Sequence, residues 1–225
     1  DIPEHARLYM IGLGLNELYI NGLRIGGQVL SPTPTDFTQE VKYTTYELAP
    51  YLKTGTNVIG VVLGNGRFFN MRQHYKPWKI RTFGFPKLLL QLELETADGQ
   101  IDWVLSDTTW RVTADGPIRS NNEWDGEDYD ATKELTGWLT PGYDASAWLH
   151  AQPVSDPGAN RRYFADSLPQ KNEPKTPHGD LTLKQARRRA QLNDDMKVVS
   201  TRKPIAIINR RPDAFILDMG QNMTG

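Results

Sequence analysis

The chain has 225 residues, 38% hydrophobic and 24% charged, with a formal net charge of −1 at neutral pH. That balance excludes a general attraction to nucleic acid or to an anionic membrane surface, and no apolar run approaches the roughly 20 residues of a membrane span. Cysteine is absent, which excludes disulfides, thiolate metal sites and cysteine nucleophiles.

The opening residues, DIPEHARLYM, carry neither a basic nor an apolar leader region, so no signal peptide is expected in them. ARLYMIGLGL is rich in strand formers. ELYINGLRI follows as a hairpin, its Asn21-Gly22 pair suited to the positive φ angles of a type I′ turn. ELAPYLKTG fits a single helical turn. TNVIGVVLGNG is an apolar run ending in glycines, long enough for a strand buried on both faces. In KLLLQLELETADGQIDWVLSD, Leu88, Leu90, Leu92 and Leu94 share one face while Gln91, Glu93 and Glu95 share the other. Asp98-Gly99 then turns the chain, and Ile101, Trp103 and Leu105 give the return strand an apolar face. Short strands separated by turn signals predict an all-β, antiparallel sandwich.

Beyond residue 150 the texture changes. Residues 1–150 hold 13 Lys/Arg against 19 Asp/Glu, whereas residues 151–211 hold 13 against 6. Pro153, Pro157, Pro169, Pro174 and Pro177 fall in a polar stretch that reads as an extended connector. LTLKQARRRAQL places Lys184, Arg187 and Arg188 at helical spacing, which predicts a short basic helix. MKVVSTRKPIAIINRRPDAFILDMGQN returns to paired strands around an Arg-Pro-Asp turn.

Site candidates gather in SNNEWDGEDYDA. A glycosidase acid and base straddle the scissile bond, about 6.5–9.5 Å apart in inverting enzymes. Alternation along one strand instead sends Glu127 and Asp128 to opposite faces. Three readings stay open for Asp125, Glu127, Asp128 and Asp130: a polar rim meeting arginines of a neighbouring layer, a Ca²⁺ site, or direct sugar contact. Trp78 in KPWKIRTFGFP suits stacking on the C–H face of a sugar, or equally a loop that plugs the sandwich end. His5, His74, His150 and His178 lack zinc spacing. The glycine pairs 12/14 and 64/66 do not form a nucleotide fingerprint, and no nucleophile elbow occurs. Arg187–Arg189 reads as a solvated face rather than a nucleic-acid contact.

In order and spacing, several stretches resemble the N-terminal sandwich region of bacterial α-L-rhamnosidases. They are ARLYMIGLGLNELYINGLRIGG through VVLGNG, then WDGEDYDAT, GWLTPGYDASAW, AQLNDDMKVVSTRKPIAI and FILDMGQNMTG. The resemblance implies a jelly-roll-like, galactose-binding-like sandwich at the front of a multidomain hydrolase that removes terminal α-L-rhamnose with inversion. Its acid and base would lie in an (α/α)6 barrel, so no catalytic residue is expected among these 225. The implied division is a sandwich over 1–150, an extended connector with a short basic helix over 151–190, and the opening strands of a second β-domain over 191–225.

In relatives such a sandwich can bind rhamnose with the help of Ca²⁺. The resemblance does not place such a site residue by residue; the candidate carbohydrate contacts are Trp78, Trp124 and Asp36, the last within Thr35-Asp36-Phe37, and the candidate Ca²⁺ ligands are Asp125, Glu127, Asp128 and Asp130. The stretch Trp124–Thr132 ends in Thr132 where relatives carry Arg, which removes a bidentate partner for one acid. Implied partners are the remaining domains of the parent enzyme and rhamnose-containing carbohydrate. The acids are then expected near basic residues such as Arg161 and Arg162, in a protein of the bacterial periplasm or exterior. The alternative is a stand-alone carbohydrate-binding or adhesive sandwich without hydrolase activity.

Overall fold

The alternating runs become strands in the computed structural model, which describes residues 2–37, 39–69, 83, 85–122, 126–154 and 186–222. In chain order they are β1 (His5–Leu13), β2 (Leu15–Ile20), β3 (Leu23–Ile25), β4 (Glu40–Glu47), β5 (Ile59–Gly64), β6 (Lys87–Glu95) and β7 (Ile101–Leu105). There follow β8 (Arg111–Val112), β9 (Ile118–Asn122), β10 (Gly126–Tyr129), β11 (Leu149–His150), β12 (Arg187–Ala190), β13 (Ala206–Arg211) and β14 (Ala214–Asp218). No α-helix occurs among the described residues; Ala49–Tyr51, within the expected helical turn, is a 3-10 turn. Asn21 (φ 51°) and Gly22 (φ 86°) take the left-handed conformations of the expected hairpin turn.

Two sheets face each other. One runs β12-β4-β1-β6-β7 and the other β3-β2-β5. Alternation sends Ala6, Leu8 and Met10 of β1, Leu18 and Ile20 of β2, Tyr46 of β4, and Leu90 and Leu92 of β6 into the space between them. These side chains are almost wholly buried, and each buried leucine or isoleucine contributes about 1.5–3 kcal/mol. The result is the antiparallel sandwich that the alternation predicts. The exception to antiparallel order is β12, which lies parallel to β4.

Register decides which face each side chain takes. In the β6–β7 pair, Gln91 stands opposite Leu105, Glu93 opposite Trp103 and Glu95 opposite Ile101. Ile101, Trp103 and Leu105 therefore join the outer, glutamate-bearing face of the large sheet and not the core. One end of that outer face is covered by a second apolar cluster: Ile11, Leu13, Phe37, Val41, Phe68 and Ala186, joined by Phe83. Phe37 meets Phe68 and Phe83 edge-on, at 5.2 Å in each case. The small sheet is covered differently. Gly60 of β5 lies so close beneath Trp138 and Leu139 that an added Cβ would fall 2.2 Å from Leu139 Cδ2. Trp138 in turn packs on Tyr19 and Trp148. Apart from Gly60, β5 is half-buried rather than buried on both faces.

The basic helix is corrected by the structure. Arg187–Ala190 is a strand on the edge of the large sheet, paired with Glu40 through Tyr43. Ala186 N-terminal to it enters the second apolar cluster, and Arg189 reaches Glu40 at 3.1 Å. The chain then runs on along the sandwich: the Thr33 backbone N–H donates to Gln191 Oε1 at 3.0 Å and that of Val29 to the Met196 carbonyl at 2.8 Å. Pairing to β4 satisfies backbone groups at a sheet edge, which outweighs the intrinsic helix preference of an Arg/Ala/Gln run. β13 and β14 form a hairpin about Pro212-Asp213, with Asp213 at φ 61°. It leaves Ile207, Phe215 and Leu217 exposed.

Candidate functional site

The acidic stretch lies on the β9–β10 hairpin and the turn after it. Glu127 stands opposite Asn121 and Asp128 opposite Ser120, so the two acids take opposite faces of the ribbon as alternation requires. Asp128 accepts a hydrogen bond from the Ser120 hydroxyl at 2.6 Å. Asp130 caps the 3-10 turn Ala131–Lys133, accepting from the Thr132 backbone N–H at 2.9 Å and the Thr132 hydroxyl at 2.6 Å. Those Thr132 bonds hold the Asp130 carboxyl below the usual carboxylate range. Thr132 thus supplies this acid with its partner.

Nearby, Asp115 receives Lys133 and Arg119, each at 3.0 Å, and the Lys133 hydrogen bond is the main cause of its lowered pKa. Glu134 accepts from the Tyr129 hydroxyl. Asp115, Asp128, Asp130 and Glu134 thus meet partners from the hairpin and its flanking turns. Trp124, Asp125, Arg161 and Arg162 lie outside the described residues, as does Trp78. Among the described residues, no group of three His, Asp or Glu could hold a metal ion.

Asp36 sits elsewhere, exposed in the turn that leads into β4. Its carbonyl accepts the N–H groups of Gln39 and Glu40, and its carboxylate accepts the Gln39 amide at 2.8 Å. These bonds place it as the organiser of that turn, with the neighbouring Phe37 delivered into the second apolar cluster.

What sequence periodicity missed is the uncovered part of the large sheet's outer face. Past the Phe37–Phe68–Phe83 cover lies an open depression of about 390 Å³, whose lining includes Tyr9, Tyr43, Gln91, Glu93, Trp103 and Arg188. Tyr9 and Tyr43 meet edge-on at 6.1 Å, and Trp103 is 48% exposed. Arg7 stands across from Glu93, and its hydrogen bond with Tyr9 is the main cause of its raised pKa, with the charges of Glu47 and Glu93 adding to it. The signal was present in the hairpin: pairing Glu95 with Ile101 puts Trp103 beside Glu93.

No helix among the described residues is long and apolar enough to cross a membrane. A family profile described as the alpha-L-rhamnosidase N-terminal domain matches residues 2–170. An alpha-L-rhamnosidase of Streptomyces avermitilis is 32% identical over 222 residues, covering 99% of this chain and 19% of that protein. Among solved structures, alpha-L-rhamnosidase from Dictyoglumus thermophilum superposes with a TM-score of 0.74 at 35% identity, over 99% of this chain and 21% of the other. The Streptomyces avermitilis alpha-L-rhamnosidase complexed with L-rhamnose superposes with a TM-score of 0.73 at 31% identity, over 98% and 19%. The chain therefore spans about a fifth of the length of these relatives, between 19% and 21%.

Proposed function

Because the chain belongs to the α-L-rhamnosidase N-terminal domain family, we propose that it is the non-catalytic front portion of a hydrolase of terminal α-L-rhamnose, a scaffold on which the remaining domains sit. The observation that carries this is coverage. The match runs over nearly the whole of this chain yet over only 19% to 21% of its relatives, so a shared N-terminal unit is joined there to far more protein. The carboxylates described here support the same reading. Asp115, Asp128 and Asp130 are occupied by hydrogen bonds or ion pairs within their own domain. The outer-face depression has one carboxylate in its lining, Glu93, where glycoside hydrolysis takes two.

The parent enzyme would act on rhamnose-bearing glycans in the bacterial periplasm or outside the cell. The test is direct: the purified 225-residue chain is incubated with an aryl α-L-rhamnoside and free rhamnose is measured. No release above the uncatalysed rate is expected, and steady turnover would overturn the proposal.

A further inference from the structure

The large sheet ends in β12 on one side and β7 on the other, and the two edges are built in opposite ways. β12 carries Arg187, Arg188 and Arg189 in a row, and a row of like charges discourages another strand from pairing there. β7, Ile-Asp-Trp-Val-Leu, has one charge, no proline, no lysine and an unbroken register against β6. Among the described residues no strand pairs with its far side. We propose that this edge is a self-association site, in which β7 of one copy pairs antiparallel with β7 of a second copy about a two-fold axis at Trp103.

The backbone is already set for it. The Ser106 N–H donates to the Leu90 carbonyl at 2.9 Å and the Thr96 N–H to the Gln100 carbonyl at 3.0 Å. Antiparallel bonding alternates between these two points, so Val104 and Asp102 direct their backbone groups to β6. The N–H and carbonyl groups of Ile101, Trp103 and Leu105 therefore point to the open side. Of these, the Leu105 carbonyl already accepts the Trp110 indole N–H at 3.0 Å. Two-fold pairing at Trp103 lets each Trp103 N–H reach the partner's Trp103 carbonyl. It also lets each Leu105 N–H reach the partner's Ile101 carbonyl, and the Trp110 bond stays in place.

The side chains match as well. In that register Ile101 faces the partner's Leu105, Trp103 the partner's Trp103, and Asp102 the partner's Val104. Ile101, Trp103 and Leu105, each about half exposed, merge with their counterparts into one apolar stripe, with the two indoles as a cross-strand aromatic pair. Charge is complementary in the same sense: each Asp102 stands beside a valine and not beside its own copy, so like charges never meet directly. This self-complementarity selects a second copy over an unrelated strand, and a two-fold contact closes at two copies. The arginines of β12 then bound the joined sheet at both ends. The pairing does not depend on the parent enzyme's activity.

Sedimentation equilibrium of the 225-residue chain is the test. A reversible monomer–dimer equilibrium is expected between about 10 µM and about 1 mM, the range of a small, transient interface. Trp103→Lys sets two ammonium groups opposite each other and should abolish the dimer. Ile101→Glu and Leu105→Lys should each weaken it at least threefold. Mixed together, those two variants should associate again, because the introduced carboxylate and ammonium then face each other across the two-fold axis. All three positions are exposed, so thermal midpoints should stay within a few degrees of wild type. Four results would each overturn the proposal: a monomer up to about 1 mM, open-ended oligomers, a dimer that survives Trp103→Lys, or single variants that fold but do not rescue each other.

Discussion

Asn65 and Asn121 clasp each other reciprocally. The Asn121 side-chain oxygen accepts the Asn65 backbone N–H at 2.8 Å, while the Asn65 side-chain amide donates to the Asn121 carbonyl, also at 2.8 Å. One residue follows β5 and the other lies in β9, so this pair ties the acidic hairpin to the small sheet. Asn121→Ala leaves the partly buried Asn65 N–H without its acceptor and should cost about 1–2 kcal/mol. Asn121→Asp keeps an acceptor and should cost less. Urea unfolding midpoints of the two variants check the order.

The edge strand β12 is held by its apolar entry more than by its charges. Arg189 and Glu40 meet at 3.1 Å, with side chains 57% and 31% exposed, and such pairs contribute at most about 1 kcal/mol. Ala186 is only 7% exposed, among Ile11, Leu13, Phe37 and Phe68. Ala186→Asp would bury a carboxylate there and should cost at least about 2 kcal/mol, whereas Arg189→Ala should lie within about 1 kcal/mol of wild type. Limited proteolysis between residues 186 and 197 should accelerate in the first variant and not in the second.

These two contacts show why only part of the molecule was legible in its sequence. Local rules carried far: Asn21-Gly22, the leucine alternation of β6 and the turn at Pro212-Asp213 depend on neighbours a few residues away. The β12 strand does not. Its identity is set by pairing with Glu40–Tyr43, almost 150 residues earlier, and no local propensity of Arg187–Ala190 reports that. The placement of Trp103 on the outer face was hidden for another reason: alternation puts Ile101, Trp103 and Leu105 on one face, but only the register across the turn says whether that face is inside. The acidic hairpin was legible as a polar rim, yet its partners, Thr132, Ser120, Lys133 and Arg119, come from side-chain geometry that spacing does not encode.

Asp115 and Asp130 make stability depend on acid. Hydrogen bonds from Lys133 and Thr132, respectively, lower their folded-state pKa values below those of the unfolded chain. The unfolded state therefore binds more protons near pH 4, where free aspartate titrates at about 3.9. Their contribution is complete above that value and is lost as pH falls through the folded pKa values. Asp115→Asn and Asp130→Asn should each flatten the fall of the thermal midpoint between about pH 5 and pH 2. Thr132→Val should return the Asp130 titration toward the ordinary range, as followed by carboxyl NMR.

Tyr19 does the reverse at alkaline pH. Burial is the main cause of its raised pKa, with the hydrogen bond its hydroxyl donates to Glu17 at 2.6 Å second, and together they push it up to about 12. Trp138 packs edge-on against the ring at 6.1 Å and supplies part of that cover. An unfolded tyrosine ionises near 10, so the folded state holds the proton more tightly. The associated stability is present below about pH 10 and disappears as pH rises through the folded value. Ultraviolet titration should accordingly reveal late-ionising tyrosines, since burial raises Tyr46 as well, and Tyr19→Phe should reduce the amplitude of that late transition by one tyrosine. Trp138→Ala should bring the same transition down toward 10 by admitting water, and an unchanged late transition in that variant would mean that Glu17 alone, not the tryptophan cover, sets it.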